Sequence, residues 1–347
     1  GDPVGIRMGR SIEVLIAVHG VLRAGGRFVF LDPDDPVSRH ETIAADAGLF
    51  TILDHLPSEE GNSADSAVPI ELPTVGLDDG AYILYTSGST GLPKGVPISH
   101  RGLADYLDFA IESYCDPDNP PWVALHSALV FDLSITSVFL AMMTGGRTVV
   151  FDADPVEALG QISRDDRITF LKGTPSQLEI LTRVADGPLS LDTFVVGGEA
   201  FRRPVAERVR TQCAGPVRIF NEYGPTEAVV GCMIHKYDPE RDLNVDVPIG
   251  HAAPGSQLVV LDALGEVAPP GVWGELFVHR PGMASGYLNR PELTEERFGP
   301  PPVGTPDRAV LGNHHADLGS TVWYRTGDRV RVERLGVLVF GGRLTIN

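Results

Sequence analysis

From its first residues to about residue 246, this chain alternates between short apolar runs and amphipathic stretches. The apolar runs are rich in β-branched and aromatic side chains and predict strands. They are RFVFL (27–31), AYILY (81–85), RTVVF (147–151), ITFL (168–171), TFVV (193–196) and VRIF (217–220). Strands that alternate with helices form α/β layers, because each helix packs on the sheet that its neighbouring strands build. The sequence therefore predicts an α/β fold with largely parallel sheets.

Two of the intervening stretches carry a serine that can cap a helix. Residues 11–24 predict a helix with Ser11 as its N-cap, and Ser99 can cap a second helix. The apolar residues expected near one face of the first helix are Ile12, Leu15, Ile16 and Leu22. Those that recur at three- and four-residue spacing in the second helix are Leu103, Tyr106, Leu107, Ala110, Ile111 and Tyr114.

The texture of the sequence changes at about residue 247. Short apolar runs such as QLVVL (257–261) and GELFV (274–278) are interrupted by Gly and Pro at close intervals. We expect residues 1–246 to form an α/β core and residues 247–347 to form a smaller, β-rich and barrel-like subdomain. The stretch 298–320 has no periodicity and predicts a long surface loop.

Charge and cysteine usage exclude several classes of function. The formal net charge of −18 argues against general affinity for nucleic acid or an anionic membrane, since both need basic surface. No apolar run is long enough to span a bilayer. The three cysteines are an odd number without CxxC spacing, so neither a disulfide framework nor a zinc site is expected. We expect a cytoplasmic protein.

Residues 85–96, YTSGSTGLPKGV, follow a predicted strand and combine glycines, hydroxyls and a lysine in a chain with only three lysines. Glycines let backbone N–H groups approach an anion, hydroxyls add donors, and Lys94 supplies a compact positive charge. The segment is therefore predicted to be a loop and a candidate phosphate site. It is not the P-loop of nucleotide triphosphatases, because Pro93 precedes Lys94 and Gly95 follows it.

Six motifs then occur in order along the chain. They are VLRAGGRFVFLDP (21–33), YTSGSTGLPKG (85–95), FDLS (131–134), NEYGPTE (221–227), GELFVHRPGMASGYL (274–288) and YRTGD (324–328). Together they closely resemble the adenylation domains of non-ribosomal peptide synthetases, within the adenylate-forming superfamily that includes acyl-CoA synthetases and luciferases. The resemblance spans nearly the whole chain. It implies the large N-terminal domain of that superfamily, with two layered α/β subdomains plus a small β-barrel-like one.

The resemblance implies a two-step activity. An amino acid reacts with ATP to give an aminoacyl-adenylate and pyrophosphate, and the aminoacyl group is then loaded onto the phosphopantetheine thiol of a carrier protein in secondary metabolism, such as antibiotic biosynthesis. ATP and Mg²⁺ are the implied cofactors, with Glu227 as the metal ligand, Thr226 beside the α-phosphate and Lys94 on the outer phosphates. The residues implied to bind ATP are Thr86, Ser87, Gly88, Ser89, Thr90, Gly91, Lys94, Gly198, Glu199, Ala200, Asn221, Tyr223, Gly224, Thr226, Asp328, Phe340 and Arg343.

The resemblance also assigns an amino-acid pocket, in which Asp132 pairs with the α-ammonium group. The side-chain pocket then falls to Leu133, Thr136, Lys172, Val195, Gly197, Glu222, Val230 and Gly231. A buried lysine and glutamate should face each other or a polar substrate, because an unpaired buried charge is costly. Lys172 can donate to a carboxamide C=O while Glu222 accepts from its NH₂ group, which fits the side chain of asparagine or glutamine. The set of pocket residues also resembles the family's asparagine selectivity pattern, and this resemblance favours L-asparagine. Aspartate is the second choice, and a β-substituted asparagine stays open.

The resemblance leaves other features as expectations. The chain is shorter than the family's domains at both ends, and no lysine follows Lys236, whereas the family's C-terminal subdomain carries a catalytic lysine. We therefore expect this chain to bind ATP and asparagine but to form the adenylate slowly. Expected partners are a peptidyl carrier domain, flanking condensation domains and, as an option, a small MbtH-like protein. The rival functions are an acyl- or aryl-CoA ligase and an inactive scaffold fragment.

Overall fold

A computed structural model describes residues 1–57, 71–87, 92–300, 311–312 and 322–344 of the chain. The helices within these ranges are α1 (Ile12–Arg23), α2 (Val37–Ala47), α3 (His100–Tyr114), α4 (Leu133–Thr144), α5 (Pro155–Arg164), α6 (Pro175–Val184), α7 (Arg203–Gln212) and α8 (Pro291–Arg297). No helix in the described ranges combines the length and the apolar character needed to cross a membrane.

The first sheet has five strands in the order β3-β1-β2-β4-β5. They are β1 (Pro3–Ile6), β2 (Arg27–Phe30), β3 (Thr51–Leu53), β4 (Gly80–Ser87) and β5 (Pro93–Ser99). All pairings are parallel except the last, in which β5 runs back along β4 with Lys94 opposite Thr86.

The second sheet has seven strands in the order β12-β11-β10-β9-β8-β6-β7. They are β6 (Trp122–Leu125), β7 (Arg147–Val150), β8 (Phe170–Gly173), β9 (Thr193–Val196), β10 (Arg218–Tyr223), β11 (Met233–Lys236) and β12 (His251–Ala252). The strands from β7 to β10 are parallel, and β11 and β12 continue the sheet in antiparallel pairing.

The third sheet is antiparallel and has six strands among the described residues. They are β13 (Gln257–Leu261), β14 (Trp273–His279), β15 (Phe298–Gly299), β16 (Leu311–Gly312), β17 (Trp323–Val332) and β18 (Leu338–Arg343). The order is β15-β17-β14-β13-β16, and β18 pairs with β17. Since β12 still belongs to the second sheet, purely antiparallel structure begins at Gln257.

Neighbouring residues of one strand face different hydrophobic layers, as the pleat of a buried strand requires. On β4, Tyr82 packs in the main core between the first two sheets, whereas Ile83 packs with α2 on the outer side. On β9, Val195 faces the main core, and Val196 faces a second core that includes residues of α5, α6 and α7. Two sheets with helices between them and on both outer faces give the layered α/β fold that the sequence predicts.

The predicted helices form with the predicted caps, but the predicted apolar face of α1 was not the face that is buried. Ser11 and Ser99 accept hydrogen bonds from the backbone of Val14 and Gly102, respectively. In α1 the buried residues are Val14, Ala17, Val18 and Val21, and the predicted Ile12 and Ile16 are exposed. Because α1 is apolar on two sides, periodicity alone could not choose between them. In α3 the predicted apolar residues are buried, apart from partly buried Ile111.

Two predicted loops contain strand residues. The sequence treated 85–96 as one loop, but Thr86 and Ser87 belong to β4 and Lys94 belongs to β5. Within the predicted surface loop 298–320, β15 and β16 pair with the third sheet, and much of the remainder lies outside the described residues.

Candidate active site

Most of the predicted amino-acid pocket lies where the parallel strands of the second sheet end. Lys172 is near the end of β8, Val195 is near the end of β9, and Glu222 is near the end of β10. Asp132 and Leu133 begin α4, and Thr136 follows one turn later. Ligands of open α/β sheets bind outside the carboxyl ends of the strands, so this edge is the expected place for a site.

Lys172 and Glu222 form a buried ion pair, with 1% and 2% of their side-chain surfaces exposed. Lys172 donates to one Glu222 oxygen, and its Nζ lies 2.8 Å from both the Tyr106 hydroxyl and Thr136 Oγ1. The other Glu222 oxygen accepts from the Tyr114 hydroxyl at 2.6 Å. Burial, followed by the charge of Glu222, raises the pKa of both tyrosines well above the ordinary value. Both phenols therefore stay protonated and act as donors to this network.

Glycines let the backbone close around the Glu222 side chain. A Cβ at Gly231 would lie 2.5 Å from Glu222 Cδ, and a Cβ at Gly197 would lie 2.8 Å from the Glu222 carbonyl oxygen. Just before Gly231, Val229 and Val230 have φ angles of 61° and 60°. Positive φ is strained for β-branched residues and persists only where the surrounding structure holds it. The segment 229–231 is thus a strained wall of the predicted pocket.

Asp132, predicted to bind the α-ammonium group, accepts a hydrogen bond from Thr226 Oγ1 at 2.7 Å. The residue keeps some exposed surface, but its carboxyl is surrounded by protein. Burial raises the pKa of Asp132 to about 6, although the bond from Thr226 acts in the opposite direction. Thr226, expected beside the α-phosphate, therefore connects the amino-acid and nucleotide sides of the site.

Lys94, predicted to bind phosphate, and Glu227, predicted to bind the metal ion, contact each other. The Lys94 Nζ lies 2.8 Å from Glu227 Oε1 and 2.9 Å from the Tyr287 hydroxyl, which donates to the same Glu227 oxygen at 2.5 Å. Burial opposes ionisation of Glu227, but the Lys94 charge and these hydrogen bonds lower its pKa below the ordinary value. The Thr86 hydroxyl is buried without a hydrogen-bond partner among the described residues. Gly88, Ser89, Thr90 and Gly91 lie outside those residues.

The donor set fits Mg²⁺ held in part by a nucleotide. Glu227 offers an ionised, hard carboxylate oxygen, whereas no group of three or more His, Cys, Asp or Glu side chains in the described ranges is placed to hold a metal ion. Mg²⁺ commonly binds through one or two carboxylates together with substrate phosphates and water. Glu227 is suited to that arrangement and not to an all-protein cage.

A cavity of about 210 Å³ lies between the second and third sheets. Its lining includes the predicted nucleotide residues Gly198, Glu199, Ala200, Asn221, Tyr223, Gly224, Asp328, Phe340 and Arg343. The Tyr223 hydroxyl donates to Asp328 at 2.5 Å, and Arg343 forms an ion pair with the other Asp328 oxygen at 3.2 Å. Burial raises the pKa of Asp328, against the effect of both partners. The Tyr223 and Phe340 rings lie 6.2 Å apart.

Four residues of this region had no predicted role in the site. Tyr106 and Tyr114 were assigned to the apolar face of α3, yet their hydroxyls complete the Lys172–Glu222 network. Tyr287 and Arg280 lie in the motif 274–288, and they contact Glu227 and Gly231, respectively. An aromatic hydroxyl or a lone Arg within an apolar motif was the available signal, but its partner is far away in sequence.

Comparison with known proteins places the chain in a family. The model of the family described as AMP-binding enzyme matches residues 1–288. Bacitracin synthase 3 of Bacillus licheniformis is 36% identical over 356 residues, which cover 98% of this chain and 5% of that protein. The crystal structure of the nonribosomal peptide synthetase FmoA3 has a TM-score of 0.83 at 28% identity, covering 99% of this chain and 37% of that one.

A further solved structure shares the fold alone. It is PA1221, an NRPS protein containing adenylation and PCP domains, with a TM-score of 0.82 at 24% identity over 99% of this chain and 69% of that one. The present chain therefore belongs to the AMP-binding enzyme family. Within that family it is of the adenylation type found in non-ribosomal peptide synthetases, and it spans only a small part of the synthetase that it matches.

Proposed function

We propose that this chain activates L-asparagine with ATP, giving asparaginyl-adenylate and pyrophosphate, for loading onto a peptidyl carrier protein. The observation that carries the choice of amino acid is the buried ion pair between Lys172 and Glu222, two of the residues predicted to form the pocket. Family membership supports the reaction class, and the arrangement of the pocket supports the substrate.

The proposed reaction uses the contacts described above. Asp132 pairs with the α-ammonium group and leaves the α-carboxylate near Thr226. A carboxylate oxygen attacks the α-phosphorus of ATP, the bond to the β-phosphate oxygen breaks, and pyrophosphate leaves. The carrier thiol then attacks the aminoacyl carbonyl, releases AMP and gives up its proton.

Each nucleotide group has a partner in this proposal. Asp328 accepts from the ribose hydroxyls, Tyr223 stacks on adenine, and Phe340 and Arg343 border the ribose and phosphate. Lys94 exchanges its contact with Glu227 for the outer phosphates, together with residues 86–91. Bound at Glu227, Mg²⁺ would neutralise charge that develops on pyrophosphate.

Lys172 already donates its three N–H groups to Glu222, Tyr106 and Thr136. A bound carboxamide oxygen therefore has to replace one of the two hydroxyls, each of which can rotate and donate elsewhere. Glu222 can accept from the amide NH₂ through a remaining lone pair. An aspartate side chain would instead place a second carboxylate beside Glu222, which disfavours its ionised form. Glutamine is longer by one methylene, a difference of about 1–3 kcal/mol in a shaped pocket.

The remaining expectations stay proposals. A carrier domain is the proposed acceptor, supported by the adenylation and PCP domains that PA1221 contains. We also propose the division into residues 1–246, with the amino-acid pocket, and 247–347, which contributes Asp328, Phe340 and Arg343. An MbtH-like partner and slow adenylate formation by this chain alone stay predictions.

Calorimetric binding of asparaginyl- and aspartyl-sulfamoyl adenosine tests the proposal, because these mimics cannot react. We expect clear preference for the asparaginyl mimic, and loss of that preference in Glu222→Gln. AMP binding serves as the control that the variant is folded, since AMP does not need the carboxamide contact. Preference for the aspartyl mimic would overturn the choice of asparagine, and binding of AMP without either aminoacyl mimic would favour a CoA ligase or a scaffold.

A further inference from the structure

Arg280 is a fully buried arginine that directly follows β14, with 1% of its surface exposed. Its Nη1 donates to the Gly231 carbonyl oxygen, while its Nε and Nη2 have no hydrogen-bond partner in the part of the chain that the structure describes. Burying a guanidinium is costly unless it is well paired. One hydrogen bond does not offset the free-energy cost of burying this side chain, so Arg280 should have a role that depends on that hydrogen bond.

The contacts of Arg280 all lie beside the predicted amino-acid pocket. Its guanidinium carbon is 5.9 Å from the centre of the Tyr106 ring and 6.0 Å from that of Phe109, both on α3. The Tyr106 hydroxyl belongs to the Lys172 network. Burial lowers the pKa of Arg280, whereas Asp105 and Glu222 act in the opposite direction. Arg280 is therefore a cation packed against the outside of that network.

The hydrogen bond from Arg280 meets the strained segment 229–231. Val229 and Val230 have positive φ angles, and the N–H of Gly231 donates to the Val229 carbonyl at 2.7 Å in a tight turn. Strain of this kind needs restraint from outside the segment. Gly231 is also in contact with Glu222, since a Cβ there would lie 2.5 Å from Glu222 Cδ. Any shift of Gly231 therefore moves the wall against which the Glu222 carboxylate rests.

We propose that Arg280 is a positioning residue for amino-acid recognition, which holds residues 229–231 against Glu222 and so fixes the space for the substrate side chain. The inference rests on the proposed function, because it assigns a role in the same pocket. Arg280 directly follows β14, so this contact also links the end of that strand of the third sheet to the segment that precedes β11 of the second sheet. It acts through Gly231 and Tyr106 and need not touch the substrate.

Two variants of Arg280 separate this role from general stability. Arg280→Met keeps the apolar length and removes the charge and the donor, and Arg280→Lys keeps a charge and a donor. Calorimetry would give the Kd of each variant for asparaginyl-sulfamoyl adenosine and for AMP. We expect Arg280→Met to raise the Kd for the asparaginyl mimic by about tenfold or more, the effect of losing one charge-assisted hydrogen bond. The Kd for AMP should not change. Arg280→Lys should lie between Arg280→Met and the wild type.

The matched control is Arg147→Met. The guanidinium carbon of Arg147 also lies over an aromatic ring, 4.7 Å from the centre of the Trp122 ring. Arg147 is exposed on the edge strand β7, so its substitution should change the affinity for neither ligand. Equal affinity of the wild type and Arg280→Met for the mimic would overturn the role of Arg280 but not the proposed function. An equal loss of affinity for the mimic and for AMP would do the same. Absence of mimic binding by a wild-type chain that binds AMP would overturn the proposed function as well. Should Arg280→Met not fold, wild-type affinity in Arg280→Lys would count against the inference.

Discussion

At the scale of single residues, the pocket depends on charges that are satisfied by one another. Lys172 has three acceptors for its three N–H groups, and Glu222 has donors on both oxygens. A buried ion pair of this kind adds little net stability, but removing one partner leaves the other charge buried and unpaired. The pair therefore fixes the positions of the two side chains, and either side chain alone would destabilise the fold.

Lys172→Met should consequently be strongly destabilising. We expect a loss of about 3–5 kcal/mol in the free energy of unfolding, the usual effect of breaking a buried pair. Lys172→Met combined with Glu222→Gln should recover a large part of it, because the neutral amide can still accept from Tyr114. Chemical denaturation of the two variants and the wild type measures both effects. A double variant no more stable than Lys172→Met would contradict this account of the pair.

If Asp132 binds the amino acid as proposed, recognition should depend on pH. Only its ionised form can pair with an α-ammonium group, and burial raises its pKa to about 6. Affinity for asparaginyl-sulfamoyl adenosine should therefore be full above that value and fall as the pH decreases, by up to about tenfold per pH unit. Calorimetry between pH 5 and pH 8 would follow the change.

The control for this pH dependence is Asp132→Asn. Its neutral amide should bind the mimic weakly at every pH and lack the transition assigned to Asp132. If the variant kept the wild-type pH profile over the same range, another group would be responsible and the role of Asp132 would be wrong.

At the scale of elements, α3 connects the pocket to the rest of the molecule. It carries Tyr106 and Tyr114 on its buried face. Its first turn packs so closely on the segment after β14 that a Cβ at Gly102 would lie 2.1 Å from the Gly282 carbonyl oxygen. Ser99 caps its N-terminus. The positions of the two tyrosine hydroxyls therefore depend on where α3 begins, which the Ser99 cap helps to fix.

Ser99→Ala should cost about 1 kcal/mol of stability, because the N–H of Gly102 loses its acceptor. Thermal and chemical denaturation would measure this loss. Ser38→Ala is the matched control, since Ser38 is an exposed residue within α2 and caps no helix. Equal stability of the two variants would show that the Ser99 cap contributes nothing.

Local pattern was enough to predict most elements, because periodicity and caps are properties of neighbouring residues. The α3 face and the strands β7, β8, β9 and β10 of the second sheet followed from such patterns. The face of α1 did not, because Ile12 and Ile16 present a second apolar stripe that the fold leaves exposed. Strand β5 was missed because its pairing with β4 depends on the return of the chain after a Gly-rich segment, and not on its own composition.

At the scale of the whole molecule, the residues of the proposed site come from three separate parts of the chain. Lys94 comes from the first sheet, Glu222 from the second, and Asp328 from the third. Motif order was sufficient to propose the residues that line the cavity, such as Tyr223 and Asp328. The roles of Tyr106, Tyr114 and Arg280 could not be predicted, because each depends on a partner 49 to 116 positions away in the chain.

A crystal structure of this chain with asparaginyl-sulfamoyl adenosine tests the central claim most directly. We expect the side-chain amide to contact both members of the Lys172–Glu222 pair, with its oxygen on Lys172 in place of one hydroxyl and its NH₂ group on Glu222. The α-ammonium group should lie against Asp132, and the adenosine should lie in the cavity beside Tyr223 and Asp328. An amide that points away from Lys172 and Glu222, with the pair unchanged beneath it, would contradict the assignment of asparagine.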